Sequence, residues 1–134
     1  MVSLLIVTHC DLGKEFLNAA EFIVGRIEAV DTLSITQTND SEAILSTMKQ
    51  KIAALKKQGD GVLILTDMFG GTPSNISLSF LKEENVEVLT GVNLPMVIAI
   101  VQNRKNLGLK ELAETAQAAG KTGISVAGKL LESE

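Results

Sequence analysis

Short apolar runs alternate along this chain with amphipathic stretches and glycine-bearing turns. Leu4, Leu5, Ile6 and Val7 form a continuous apolar run, the pattern of a strand covered on both faces. Leu12, Phe16, Ala20, Ile23 and Ile27 then recur at three- and four-residue steps, the spacing of one helix face. Residues 29–37 read as a second strand, in which Val30, Leu33 and Ile35 are apolar. Asn39, followed three residues on by Glu42, resembles a capping box that opens a helix. That helix carries Ile44, Met48, Ile52 and Leu55 on one face, and Lys56 and Lys57 fall at its carboxyl end, where the helix dipole favours cations. Gly59-Asp60-Gly61 closes it.

Val62, Leu63, Ile64 and Leu65 make the third strand, which runs out through Thr66 and Asp67 into Met68-Phe69-Gly70-Gly71. Thr72-Pro73 is a helix start, because Thr can cap and Pro is tolerated in the first turn, and this helix is predicted to reach about Lys82. Residues 86–90 are the fourth strand and residues 91–95 a turn. Residues 96–101 are six apolar positions, several β-branched, that fit strand or helix; Pro95 just before them favours a helix. The Ala-rich stretch 109–119 ends at Gly120, a helix stop, and residues 124–127 read as a short final strand. Strands alternating with helices predict an α/β class with a mostly parallel sheet. No linker, low-complexity stretch or internal repeat interrupts the chain, so one domain is expected over residues 1–134.

Composition narrows the chemistry. Hydrophobic residues make up 46% of the chain and aromatics 3%, so the core is aliphatic. With no Trp or Tyr, a flavin or nucleotide site built on ring stacking is disfavoured, as is a stacking platform for single-stranded nucleic acid. A net charge of −4 and a pI near 5.0 lack the basic face that phosphate backbones require, so no nucleic-acid partner is expected. The single Cys forms no internal disulfide and fits a reducing cytosol. The amino terminus lacks the basic flank and length of a signal peptide, and no stretch approaches the roughly 20 apolar residues of a membrane span, so a cytoplasmic location is expected.

Three features then fall at strand ends, where open α/β sheets bind their ligands. His9, the one histidine, follows the first strand; Asp67 follows the third; Gly70-Gly71-Thr72 follows Asp67. A carboxylate that accepts a hydrogen bond from one ring nitrogen fixes the tautomer and raises the basicity of the other. Glycines let backbone N–H groups approach an anion, and Thr72 adds a hydroxyl donor, so the turn reads as a phosphoryl cradle. It is not a nucleotide loop, because no Gly-x-x-x-x-Gly-Lys sequence occurs. Metal binding by His9 and Cys10 is disfavoured, since neighbouring strand residues point to opposite faces. Each feature also has a plainer reading. A lone His at a strand end can be structural, an Asp before Gly-Gly can form the turn, Gly-Gly-Thr-Pro describes any capped strand-to-helix turn, and Cys10 can be a packing residue.

Together the motifs resemble the enzyme IIA domain of the mannose-type phosphoenolpyruvate-dependent sugar phosphotransferase system. The resemblance covers essentially the whole chain. It rests on Val7-Thr8-His9, on Asp67-Met68-Phe69-Gly70-Gly71-Thr72-Pro73 and on Gly91-Val92-Asn93-Leu94-Pro95-Met96, in that order. It implies a three-layer, doubly wound sandwich with flavodoxin-like strand order, and an antiparallel carboxyl-terminal edge strand near residues 124–127, often exchanged in a homodimer. It implies that the residue matching His9 takes a phosphoryl group from HPr and passes it to a separate IIB protein, with IIC/IID membrane components taking up the sugar. Asp67 would hold the ring with Nε2 as nucleophile, and Gly70, Gly71 and Thr72 would hold the phosphoryl group; no metal or cofactor is implied. Cys10 stands where Gly is common, Phe69 where Trp occurs and Thr72 where Ser occurs. Three other readings stay open on residues alone. One is a stand-alone regulatory module phosphorylated on His9. Another is a receiver-like domain phosphorylated on Asp67, for which Thr8-His9-Cys10-Asp11 offers at most one of the acids needed to hold magnesium. The third is a domain that binds a free anion at the Gly-Gly-Thr turn.

Overall fold

A computed structural model describes residues 1–132; Ser133 and Glu134, the end of the expected domain, lie outside the described residues. The apolar runs become β1 (Ser3–His9), β2 (Val30–Ile35), β3 (Val62–Thr66) and β4 (Val86–Thr90). Between and after them lie α1 (Leu12–Val24), α2 (Ser41–Lys56), α3 (Thr72–Leu78), α4 (Leu94–Asn103), α5 (Leu109–Thr122) and α6 (Ala127–Glu132). All strand pairs are parallel, in the order β2-β1-β3-β4, with Val7 opposite Thr66 and His9 opposite Ile35. This is the flavodoxin-like order through its first four strands.

Period-2 alternation splits the strands' side chains between two cores. Leu4, Ile6, Leu63 and Leu65 face α1, α4 and α5, meeting Ala20, Val97, Ile100, Leu112 and Ala116. Leu5, Val7, Val62 and Ile64 face α2 and the segment after α3, meeting Ile44, Met48, Ile52, Leu55 and Phe80. The predicted face of α2 is therefore the buried one. At the base of the sheet, buried Arg104 gathers the ends of β1 and β2. Its Nε and Nη2 donate to the Val2 carbonyl at 2.9 and 2.7 Å, Nη1 to Glu28 at 2.7 Å, and Nη2 to Ala29 at 2.8 Å.

Several expectations need correction. The packed face of α1 runs through Gly13, Phe16, Leu17 and Ala20; Leu12 and Ile23 are exposed, and Ile27 is buried beyond the helix, which stops at Gly25 with φ +88°. No capping box opens α2, because Asn39 Oδ1 accepts instead from the Thr36 N–H at 2.6 Å. After Leu78 the chain makes tighter bonds, such as Phe80 N–H to the Ser77 carbonyl and Glu83 N–H to the Phe80 carbonyl at 3.0 Å each, so α3 ends short of Lys82. Residues 96–101 are helical, as Pro95 suggested, with Asn93 Oδ1 capping the Met96 N–H at 3.1 Å. The antiparallel edge strand expected over 124–127 does not form in this chain. Gly123 and Ile124 N–H groups turn back to the Ala119 and Lys121 carbonyls at 2.9 and 3.2 Å, and Ala127 opens α6.

Candidate active site

The two central strands, β1 and β3, are neighbours in space but not in sequence. The helices that follow them, α1 and α3, leave toward opposite faces of the sheet, which opens a crevice beyond the strand ends. His9 is the last residue of β1 and Asp67 the first beyond β3, so both project at this switch point.

One carboxylate holds His9 twice. Asp67 Oδ2 lies 2.8 Å from the ring Nδ1 and accepts the His9 backbone N–H at 2.9 Å, while Oδ1 accepts the Met68 N–H at 3.1 Å. Burial alone would raise the Asp67 carboxyl, but the His9 backbone and ring hydrogen bonds, with the attraction of the ring, outweigh it and hold the group below the ordinary carboxylate range. An ionised carboxylate only accepts, so Nδ1 is the donor, and in the neutral ring Nε2 carries the lone pair. The imidazole is 45% exposed and the carboxylate 11%, so a partner can reach the ring but not the group that orients it.

Nε2 looks toward the Gly-Gly turn. A Cβ placed on Gly71 would stand 2.8 Å from His9 Cε1 and 3.1 Å from Nε2, so only glycine lets the backbone lie this close. Gly70 turns at φ +94°, a conformation that favours glycine. Gly71, not Thr72, is the N-cap of α3, and no side chain caps that end. Thr72 is the exposed first residue of the helix, so its hydroxyl is not a cap. In the first turn of α3 the Thr72 and Ser74 N–H groups lack acceptors within the helix, and Pro73 has none to satisfy. Of the predicted site residues, His9, Asp67 and Gly71 are in direct proximity; Gly70 and Thr72 adjoin Gly71 in the chain and make no hydrogen bond to His9 among the described residues. Exposed Met68 and Phe69 rim the site at 54% and 70% exposure. Cys10, exposed beside His9, has φ +50° and donates its N–H to Ile35. Sequence reasoning missed Thr8, a fully buried polar side chain next to His9; its only signal was a hydroxyl at the end of an apolar run.

A carboxylate-oriented imidazole stands at the switch point of a parallel α/β sheet, beside a glycine turn. The family described as "PTS system fructose IIA component" matches residues 3–117, and the chain belongs to it. It is a phosphotransferase-system component, a phosphocarrier that accepts phosphate from HPr and passes it to a IIB component. A fructose-specific EIIA component of Bacillus subtilis is 26% identical over 133 residues, covering 98% of this chain and 90% of that protein. The mannose-specific EIIAB component of Escherichia coli K12 is 29% identical over 125 residues, covering 92% of this chain and 38% of that protein. In fold, the chain superposes on a phosphotransferase EIIA of Streptococcus agalactiae with a TM-score of 0.87, at 24% identity over 96% of this chain and 99% of that one.

Proposed function

We propose that His9 is the phosphoacceptor and that the protein acts as a protein-histidine phosphotransferase. The observation that carries the reading is the 2.8 Å contact of Nδ1 with Asp67. It leaves the Nε2 lone pair aimed at the crevice. In the forward step Nε2 attacks the phosphorus carried by HPr; the new N–P bond forms as the donor's N–P bond breaks, and the donor imidazole leaves with the electron pair. Phosphoryl transfer is largely positioning and charge stabilisation. Asp67 stabilises the positive charge that grows on the His9 ring, while the Gly70 and Gly71 backbone and the Thr72 hydroxyl receive the phosphoryl oxygens. The reverse chemistry then delivers the group to IIB.

The nitrogen-to-nitrogen exchange requires neither metal nor cofactor. In this reading residues 1–134 form one domain working in the cytoplasm, with IIC/IID membrane components further down the relay. The domain works as a homodimer, which would cover Ile124 and Val126, 75% and 64% exposed in the single chain. The test is intact mass spectrometry at neutral pH after mixing with phosphoenolpyruvate, enzyme I and HPr. Wild type gains one phosphoryl group that brief acid treatment removes, and His9→Ala gains none. Phosphate accepted by His9→Ala would refute the assignment.

A further inference from the structure

We propose that Thr8 is a positioning residue for the His9 ring, acting through the backbone that follows it; this rests on His9 being the phosphoacceptor. Thr8 is fully buried, and strand alternation turns its side chain away from that of His9, toward α1. Its hydroxyl is used in both directions. Oγ1 accepts the Gly13 N–H at 2.8 Å and donates to the Cys10 carbonyl at 3.2 Å. Cys10 is held on its other side by its N–H to the Ile35 carbonyl at 2.9 Å. At Gly13 the first turn of α1 packs close against β1, where a Cβ would stand 3.1 Å from the Ile6 carbonyl oxygen.

The chain is thus braced on both sides of His9. Asp67 takes the N–H of His9, and Thr8 takes the carbonyl of the next residue. The ring's direction follows from its Cα–Cβ bond, so a swing of the β1–α1 connection would carry Nδ1 off Asp67 even with Asp67 intact. A purely packing role does not need the hydroxyl. The four residues before Thr8 are aliphatic, and Val would fill the same volume but leave the Gly13 N–H and the Cys10 carbonyl without this partner.

The histidine is the only one in the chain, so its ring nitrogens give an unambiguous ¹⁵N spectrum. That spectrum, taken on the unphosphorylated protein, is compared among wild type, Thr8→Val and Thr8→Ser, beside the rate of phosphorylation by phospho-HPr. In the neutral ring of wild type the proton is expected on Nδ1, facing Asp67. Thr8→Val moves it toward a mixture of tautomers and slows phosphorylation by about tenfold at saturating donor, with KM unchanged. Thr8→Ser restores both to within about twofold of wild type. A folded Thr8→Val with the wild-type ring spectrum and rate overturns the proposal, as does a Thr8→Ser protein as impaired as Thr8→Val. If Thr8→Val melts below the assay temperature, Thr8→Ala, which removes the hydroxyl without setting a methyl against the Gly13 N–H, is read by the same criteria. The ring spectrum needs no transfer, so a wild type that takes no phosphate refutes the functional reading while the test of Thr8 still reports.

Discussion

Adding one methyl group at Gly71 tests the geometry of the site directly. The residue sits at φ −91° and ψ 175°, where alanine is comfortable, so Gly71→Ala introduces no backbone strain. The methyl would stand 2.8 Å from His9 Cε1 and 3.1 Å from Nε2. Ordinary carbon contacts begin near 3.5 Å, so the ring must retreat by about 0.7 Å. It is tethered by Nδ1 to Asp67 at 2.8 Å, and a retreat of that size stretches the bond to about 3.5 Å, beyond useful hydrogen-bond length. A charge-assisted hydrogen bond is worth about 1.5–3 kcal/mol, and losing that much from the transition state slows transfer by about 10- to 150-fold. The assay is rapid-quench phosphorylation by phospho-HPr, paired with a thermal melt. We expect the melt to hold within a few degrees of wild type while the rate falls by that factor. Gly70→Ala is the contrasting variant. Its φ of +94° makes alanine strained, at about 1–2 kcal/mol, but its methyl meets nothing within 4 Å, so stability falls while the ring stays in place. A folded Gly71→Ala protein that is phosphorylated within about twofold of the wild-type rate would refute the account of the ring's confinement.

Other expectations follow from the same contacts. Asp67 accepts three N–H groups, and an amide cannot accept them all, so Asp67→Asn should slow phosphorylation by about 100-fold in the same quench assay while the domain stays folded. The folded-state pKa of Asp67 lies below its unfolded value, so its stabilising contribution is fully present above the unfolded pKa of about 3.9 and is lost as pH falls through the lower, folded value. Urea midpoints measured from pH 6 to pH 2.5 should therefore decline at the acid end, more shallowly in Asp67→Asn; identical pH profiles would contradict the shift. Arg104→Met removes the guanidinium partner of the Val2 and Glu28 carbonyls and should cost about 2–4 kcal/mol in urea denaturation. Its phosphorylation rate should match wild type, because Arg104 lies at the opposite end of the strands from His9.

Much of this arrangement was legible in the residues. The run Leu4–Val7 and the run Val62–Leu65 are apolar on consecutive positions because both faces of their strands are covered, and they became the two central strands. The stripe Ile44, Met48, Ile52 and Leu55 packs as its period requires. Both site residues were assigned to strand ends, where they lie. The first helix was harder. Apolar residues lie on more than one of its faces, and only the position of the sheet decided that Gly13 and Ala20 are buried and Leu12 is not. Asn39 offered a cap, but its side chain met Thr36 first, and Ala127 opens a helix where the final strand was expected. Thr8 and Arg104 gave little warning, because a buried polar group is recognised by partners that the local pattern does not name.

The sequence by itself determined the alternation of strands and helices, the aliphatic core and the residue types able to carry a phosphoryl group. Period, turn chemistry and composition act over a few residues and need no distant partner. Only the tertiary structure decided that His9 meets a carboxylate 58 residues away, that the same oxygen holds both its ring and its backbone, and that Gly71 closes on Nε2. Those contacts depend on β3 lying beside β1, and that order is chosen by how two cores pack against one sheet.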